Sequence, residues 1–186
     1  MTLDCIILHI KFLIITGSSI SGKHEQKLTR SAKDTKQQAC TSSRSSNITI
    51  IGGGNVVGNN IPPYYIFPGK RWNDSFLDGT PAGSSGKCSE SGWSNSSVFH
   101  NYMTRHFVKY VAVSKDEPLL VLYDGHKSHI QLTLLEWAKK NNIILFVLPP
   151  HMSHLTQPLD VGCFGPLKSV YNHESQQILR KNPGNR

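Results

Sequence analysis

The sequence predicts an α/β fold, a mixed sheet with helices packed on it. Strand-like runs come first, and helical and strand-like segments alternate from about residue 98 onward. A chain of 186 residues, 38% of them hydrophobic, suits one domain with one core.

The first element is "CIILHIKFLII" (5–15), the most apolar stretch. It is about half the length needed to span a bilayer and carries His9 and Lys11, so it reads as a core strand and not a membrane helix. The leader "MTLD" is acidic where a signal peptide needs a positive start. Residues 16–46 are polar, basic and serine-rich, the pattern of a long exposed loop. "NITIIGGGNVVGNNIPPYYIF" (47–67) gives two β-rich runs around a glycine and asparagine turn, a hairpin whose second strand starts near an edge because of Pro62 and Pro63.

Residues 68–93 read as loop. Val98, Phe99, Tyr102, Met103, Phe107 and Tyr110 then recur near helical spacing, with Ser94 or Asn95 as N-cap. "LLVLYD" (119–124) is a strand. Ser128 with Gln131 forms a capping box for a helix over 129–141 that ends at Asn141 and Asn142. "IILFVL" (143–148) reads as a buried strand stopped by Pro149 and Pro150, and a final helix starts from Asp160.

Net charge is +8 and pI about 9.4, a balance that favours an acidic partner such as nucleic acid. The four cysteines, Cys5, Cys40, Cys88 and Cys163, include no CxxC pair. Neither a zinc ribbon nor a disulfide framework is indicated, and a reducing, intracellular setting is the simplest reading.

The chemistry concentrates after residue 118. "LLVLYDGHKSH" ends an apolar run on the carboxylate of Asp124, and an unpaired buried carboxylate costs several kcal/mol, so a cation or donor is expected beside it. One reading uses His126-x-x-His129 and His151-x-x-His154 as four zinc ligands. Against it, no glutamate follows the first histidine as in H-E-x-x-H, and His129 falls in the first turn of a capped helix. Loop and cap histidines are the preferred reading. The second reading pairs Asp124 with Asp160, 35 residues apart. A strand, helix, strand and loop return the chain beside its starting point, so both aspartates can share one edge of the sheet. Hard oxygens of this kind select Mg²⁺ or Mn²⁺, and two such ions about 3.5 to 4 Å apart suit phosphodiester chemistry. On spacing alone, a lesser reading of Asp160 as only an N-cap beside Pro158 stays open.

The wording of the motifs goes further. "NVVGNNIPPYYIFPGKR", "GSSGKCSESGW", "LLVLYDGHKSH" and "ILFVLPPHMSHLTQPLDVGCFGPLKSVYN" resemble the DDE endonuclease domain of pogo and Tigger-type transposases of the mariner superfamily, and of host proteins derived from them. The block from His151 to Lys168 is the most specific. The resemblance implies an RNase H-like fold over 31–174, preceded by an altered segment 1–30 with a first core strand and followed by a tail, 175–186. It further implies catalytic, metal-binding carboxylates at Asp124 and Asp160, Mg²⁺ or Mn²⁺ between them, and His126, His129, His151, His154 and Gln157 as supporting or phosphate-contacting groups. The implied activity is metal-dependent DNA cleavage and strand transfer. DNA is the implied partner, the nucleus the implied location, and a homo-oligomer is compatible with the resemblance.

The first carboxylate breaks the pattern. The family places it on the first core strand in an Asp-Glu-Thr/Ser-Gly motif. Counting back from Lys33, Thr16 and Gly17 fit, but Ile14 and Ile15 occupy the acidic places. Asp4 is ten residues too early, roughly 33 Å along a strand, and Glu25 falls in the loop. Only thirteen residues precede Ile14, too few for an upstream helix-turn-helix region. The expectation is therefore a DDE-type domain that binds nucleic acid and is impaired in cleavage, with a non-enzymatic host module for DNA or protein association as the alternative.

Overall fold

The computed structural model describes residues 11–21, 47–55, 57–111, 116–124, 131–148 and 159–181. Six strands form one sheet: β1 (Lys11–Ser21), β2 (Asn47–Gly54), β3 (Asn60–Pro68), β4 (Ser85–Ser89), β5 (Leu119–Asp124) and β6 (Ile143–Leu148), in the spatial order β4-β3-β2-β1-β5-β6. β2 runs antiparallel to both β1 and β3, whereas the pairs β1 with β5, β5 with β6 and β3 with β4 are parallel. Helices flank this mixed sheet, as the sequence predicts.

The first helical segment joins α1 (Ser96–Asn101), a π-helical stretch (Tyr102–Phe107) and the short α2 (Val108–Tyr110). Asn95 is its N-cap, its side-chain oxygen accepting from the Val98 amide at 2.9 Å. Buried residues come as Val98 and Phe99, Tyr102 and Met103, then His106 and Phe107, a repeat of four. In an ideal α-helix four residues overshoot a turn by about 40°, so two such steps would swing the stripe by about 80°. The wider π turns hold it in phase.

These side chains pack with Ile15, Ile51, Tyr64, Ile66, Val121 and Tyr123 from the sheet and with Leu134 and Ala138 of α3 (Leu132–Lys140) into one apolar core. Phe99 stacks on Tyr123, their ring centroids 5.6 Å apart. His106, 3% exposed, ties the layers together: its Nε2–H donates to the Pro62 carbonyl at 2.7 Å, which leaves Nδ1 to accept from the Ser85 hydroxyl at 2.6 Å. Burial lowers its pKa, and burial raises that of neighbouring Tyr64 to about 12.

Several expectations change. β1 continues to Ser21 instead of giving way to loop at residue 16. Thr16 and Ser18 are 2% and 6% exposed, so pairing with β2 and cover of the face they share hold this polar half, not its own apolarity. β3 is an inner strand, because β4, read as loop, pairs along it. Pro62 and Pro63 are tolerated because the register with β2 is irregular between Ile51 and Gly53, and pairing with β4 begins only at Tyr64. β6 is an edge strand with Ile144 and Phe146 about half exposed, not a buried one. Helix α3 starts at Leu132 with Gln131 at the cap position and no side-chain cap, so the capping box does not set its start. Its end matches: Asn141 is the C-cap, and Asn142 takes the left-handed φ of 54° that ends such a helix.

Candidate functional site

The second face of the sheet, opposite the apolar core, carries the site. On β1, Ile15 lies in the core, so by alternation its neighbours Ile14 and Thr16 belong to the second face. Parallel pairing sets Ile14 beside Leu122 and Ile15 beside Tyr123. One step further along both strands stand Thr16 and Asp124, the carboxyl-terminal residue of β5. Asp124 also pairs with Leu148 of β6. It therefore lies at the strand ends in the interior of the sheet, not at a lateral edge.

Asp160 reaches the same region from the other end of the chain. It opens a π-helical turn (Asp160–Phe164) that leads into α4 (Gly165–Lys181), with Leu159 in the cap position, so Asp160 is not the N-cap. Helix α4 runs to Lys181, well into the segment read as tail. The Thr16 hydroxyl donates to Asp160 Oδ2 at 3.4 Å, a long hydrogen bond across 144 positions of sequence. Thr16 is buried, and Asp160 is half-buried.

Phe164 fixes the turn in place. Its ring, 7% exposed, lies over Gly52, where an added Cβ would sit 3.3 Å from the ring's Cζ. Gly52 pairs with Thr16 across the β1–β2 ladder, so the glycine that admits the ring is next to the threonine that meets the carboxylate. A larger residue at 52 would lift the turn and move Asp160 with it. Further along this face Tyr65, Phe67, Trp72 and Phe76 form an aromatic cluster, Phe67 stacking on Phe76 at 4.6 Å.

The oxygens meeting here are hard donors, a carboxylate and a hydroxyl, with a second carboxylate residue at the adjoining strand end. That chemistry fits Mg²⁺ or Mn²⁺ better than zinc. The fit is in donor type; in charge the set has two aspartates, because Ile14 and Thr16 bring none. Among the described residues no group of three histidine, cysteine, aspartate or glutamate side chains is placed to hold a metal. His126, His129, His151, His154 and Gln157 lie outside the described residues. Cys88 and Cys163 are free thiols, and among the described residues no helix is long and apolar enough to cross a membrane.

Sequence reasoning missed Thr16, Gly52 and Phe164. Sliding the apolar run "KFLII" of β1 alongside "LLVLYD" of β5 is the signal that would have set Thr16 next to Asp124.

A mixed six-strand sheet with helices packed on it, one aspartate at the end of an inner strand and a second on a helical turn that meets the neighbouring strand, defines an α/β domain of the nuclease-like kind. The chain belongs to the DDE superfamily endonuclease family, whose model matches residues 45–185. β1 lies outside that match. The fold is RNase H-like, as in Mos1 transposase: the chain superposes on the Mos1 strand transfer complex with a TM-score of 0.56 at 11% identity, covering 95% of this chain and 47% of that one. A pre-cleavage Mos1 transpososome gives 0.56 at 11% identity over 88% and 43%. In sequence, 138 residues are 36% identical to a Cochliobolus lunatus protein called MFS-type transporter clz9, 71% of this chain but 14% of that protein.

Proposed function

We propose that the chain is a transposase-derived DDE domain of the pogo and Tigger type that binds DNA and is impaired in cleaving it. The observation that carries this reading is the strand β1, which meets Asp160 with a hydroxyl and offers Ile14 and Thr16 where the family has an acid. Asp124 and Asp160 would hold a divalent ion, Mg²⁺ or Mn²⁺. Such an ion, when bound, supplies Lewis-acid stabilisation of charge on a phosphodiester and lowers the pKa of a bound water. The chain's own residues then orient: Thr16 holds the Asp160 carboxylate, and Phe164 on Gly52 holds the turn that carries it. With two aspartates in place of three acids, the ion is held by one charge fewer, and cleavage weakens before DNA binding does. The nucleus is the compartment this reading proposes for a domain that acts on DNA.

Supercoiled plasmid with Mn²⁺ tests this reading, with Asp124→Ala as control. The expected result is little or no nicking by the folded chain. Strong nicking that disappears in the control would overturn the impairment.

A second reading, a host module that associates with DNA without cleaving it, is favoured by the net charge of +8. It requires DNA affinity to survive Asp124→Ala.

A further inference from the structure

We infer that position 16, not position 14, is the third corner of the metal site, and that Thr16 fills it with a neutral oxygen. The inference rests on the DDE reading above and concerns which residue of this chain completes the site. Two independent features point to Thr16. Along β1 and β5 the parallel register pairs Ile14 with Leu122, two residues short of Asp124, or roughly 7 Å at the usual strand rise. The same register carried one step past Ile15 and Tyr123 brings Thr16 level with Asp124. Separately, the Thr16 side chain contacts Asp160, through Oγ1 and Oδ2 at 3.4 Å.

Thr16 thus relates to both carboxylate residues, level with Asp124 when the strand register is carried one step on, and in direct contact with Asp160. It is also 2% exposed and seated beside the Gly52 and Phe164 contact that anchors the Asp160 turn. Ile15, whose replacement by an acid the motif comparison suggests, lies in the apolar core at 2% exposure, so a glutamate there would bury a charge away from the site. Thr16 therefore acts as a positioning residue: its hydroxyl orients the Asp160 carboxylate toward the strand ends and adds an oxygen, without a charge, to the donor set.

Calorimetric titration of the full chain with Mn²⁺ alone, with circular dichroism as the fold check, tests the assignment. Asp160→Asn removes the binding. Thr16→Ser keeps the wild-type affinity, while the isosteric Thr16→Val weakens it about tenfold, the loss typical of a group that orients a ligand. Thr16→Asp strengthens it about tenfold or more by adding a charged ligand. Ile14→Asp leaves it within about twofold. Tighter binding in Ile14→Asp than in Thr16→Asp would overturn the assignment, as would an unchanged affinity in Thr16→Val. Asp160-dependent binding that ignores position 16 sinks this inference alone. No Asp160-dependent binding in the wild type or in any variant sinks the metal-site reading with it.

Discussion

His106 is the residue whose chemistry is most constrained by the fold. Its ring accepts from Ser85 on β4 and donates to Pro62 on β3, and it lies among Tyr64, Tyr102 and Tyr110. Burial is the main cause of its lowered pKa, with the nearby Lys109 charge adding to the shift and the Pro62 bond opposing it. The unfolded chain titrates near the ordinary value of 6.5 and so binds the proton more readily than the folded one. The stability that His106 confers is therefore fully present above about pH 6.5 and is lost as pH falls through the folded value. Thermal melts from pH 7.5 down to 5 should show a steeper loss in the wild type than in His106→Gln. Equal slopes would mean that other groups carry the acid sensitivity. None of this was readable in the sequence, where His106 is one of nine histidines and lies on no conspicuous motif.

Among the elements, legibility follows locality. The hairpin β2–β3, the helical stripe beginning at Val98, and strands β5 and β6 were legible because a run of apolar residues, or its period, specifies each within its own few residues. β4 was not: "SGKCS" has no β-branched residue, and it becomes a strand by pairing with β3. The second half of β1 was hidden for the same reason. The exposed face of β6 was hidden because an apolar run does not say which strand ends a sheet. The candidate site divides likewise. Asp124 and Asp160 stood out by position and wording, whereas the Thr16 contact with Asp160 depends on how the π turn lands on β1. That landing rests on Phe164. Phe164→Ala should cost about 3 kcal/mol of stability in urea denaturation, as truncating a buried ring does. A loss below about 0.5 kcal/mol, the range of ordinary surface substitutions, would show that the turn is held by other contacts.

For the whole molecule, the net charge of +8 sets how it should meet DNA. Contacts to phosphate release counterions, so affinity for duplex DNA should fall by about 0.9 log units per phosphate contact for each tenfold rise in salt. Fluorescence anisotropy across a salt series would measure that slope, and an affinity indifferent to salt would mean that the net positive charge does not carry the binding. Asp124→Ala should leave the slope unchanged, since it removes no positive charge.

β1 also dictates when the sheet can close. The antiparallel hairpin of β2 and β3, and the β5–α3–β6 unit, each join neighbours in sequence and can form early. β1 stands between them, and its parallel register joins Lys11 to Leu119. That union closes a very long loop, and the chain entropy is lost before the contacts return it, which makes such pairings slow. On a ribosome, β1 must wait for β5, which is made much later. Until they meet, β1 and β5 each present an unpaired edge, the kind of edge on which chains aggregate. The seam between β1 and β5, on the strand that carries Thr16, is thus the slowest part of the sheet to close.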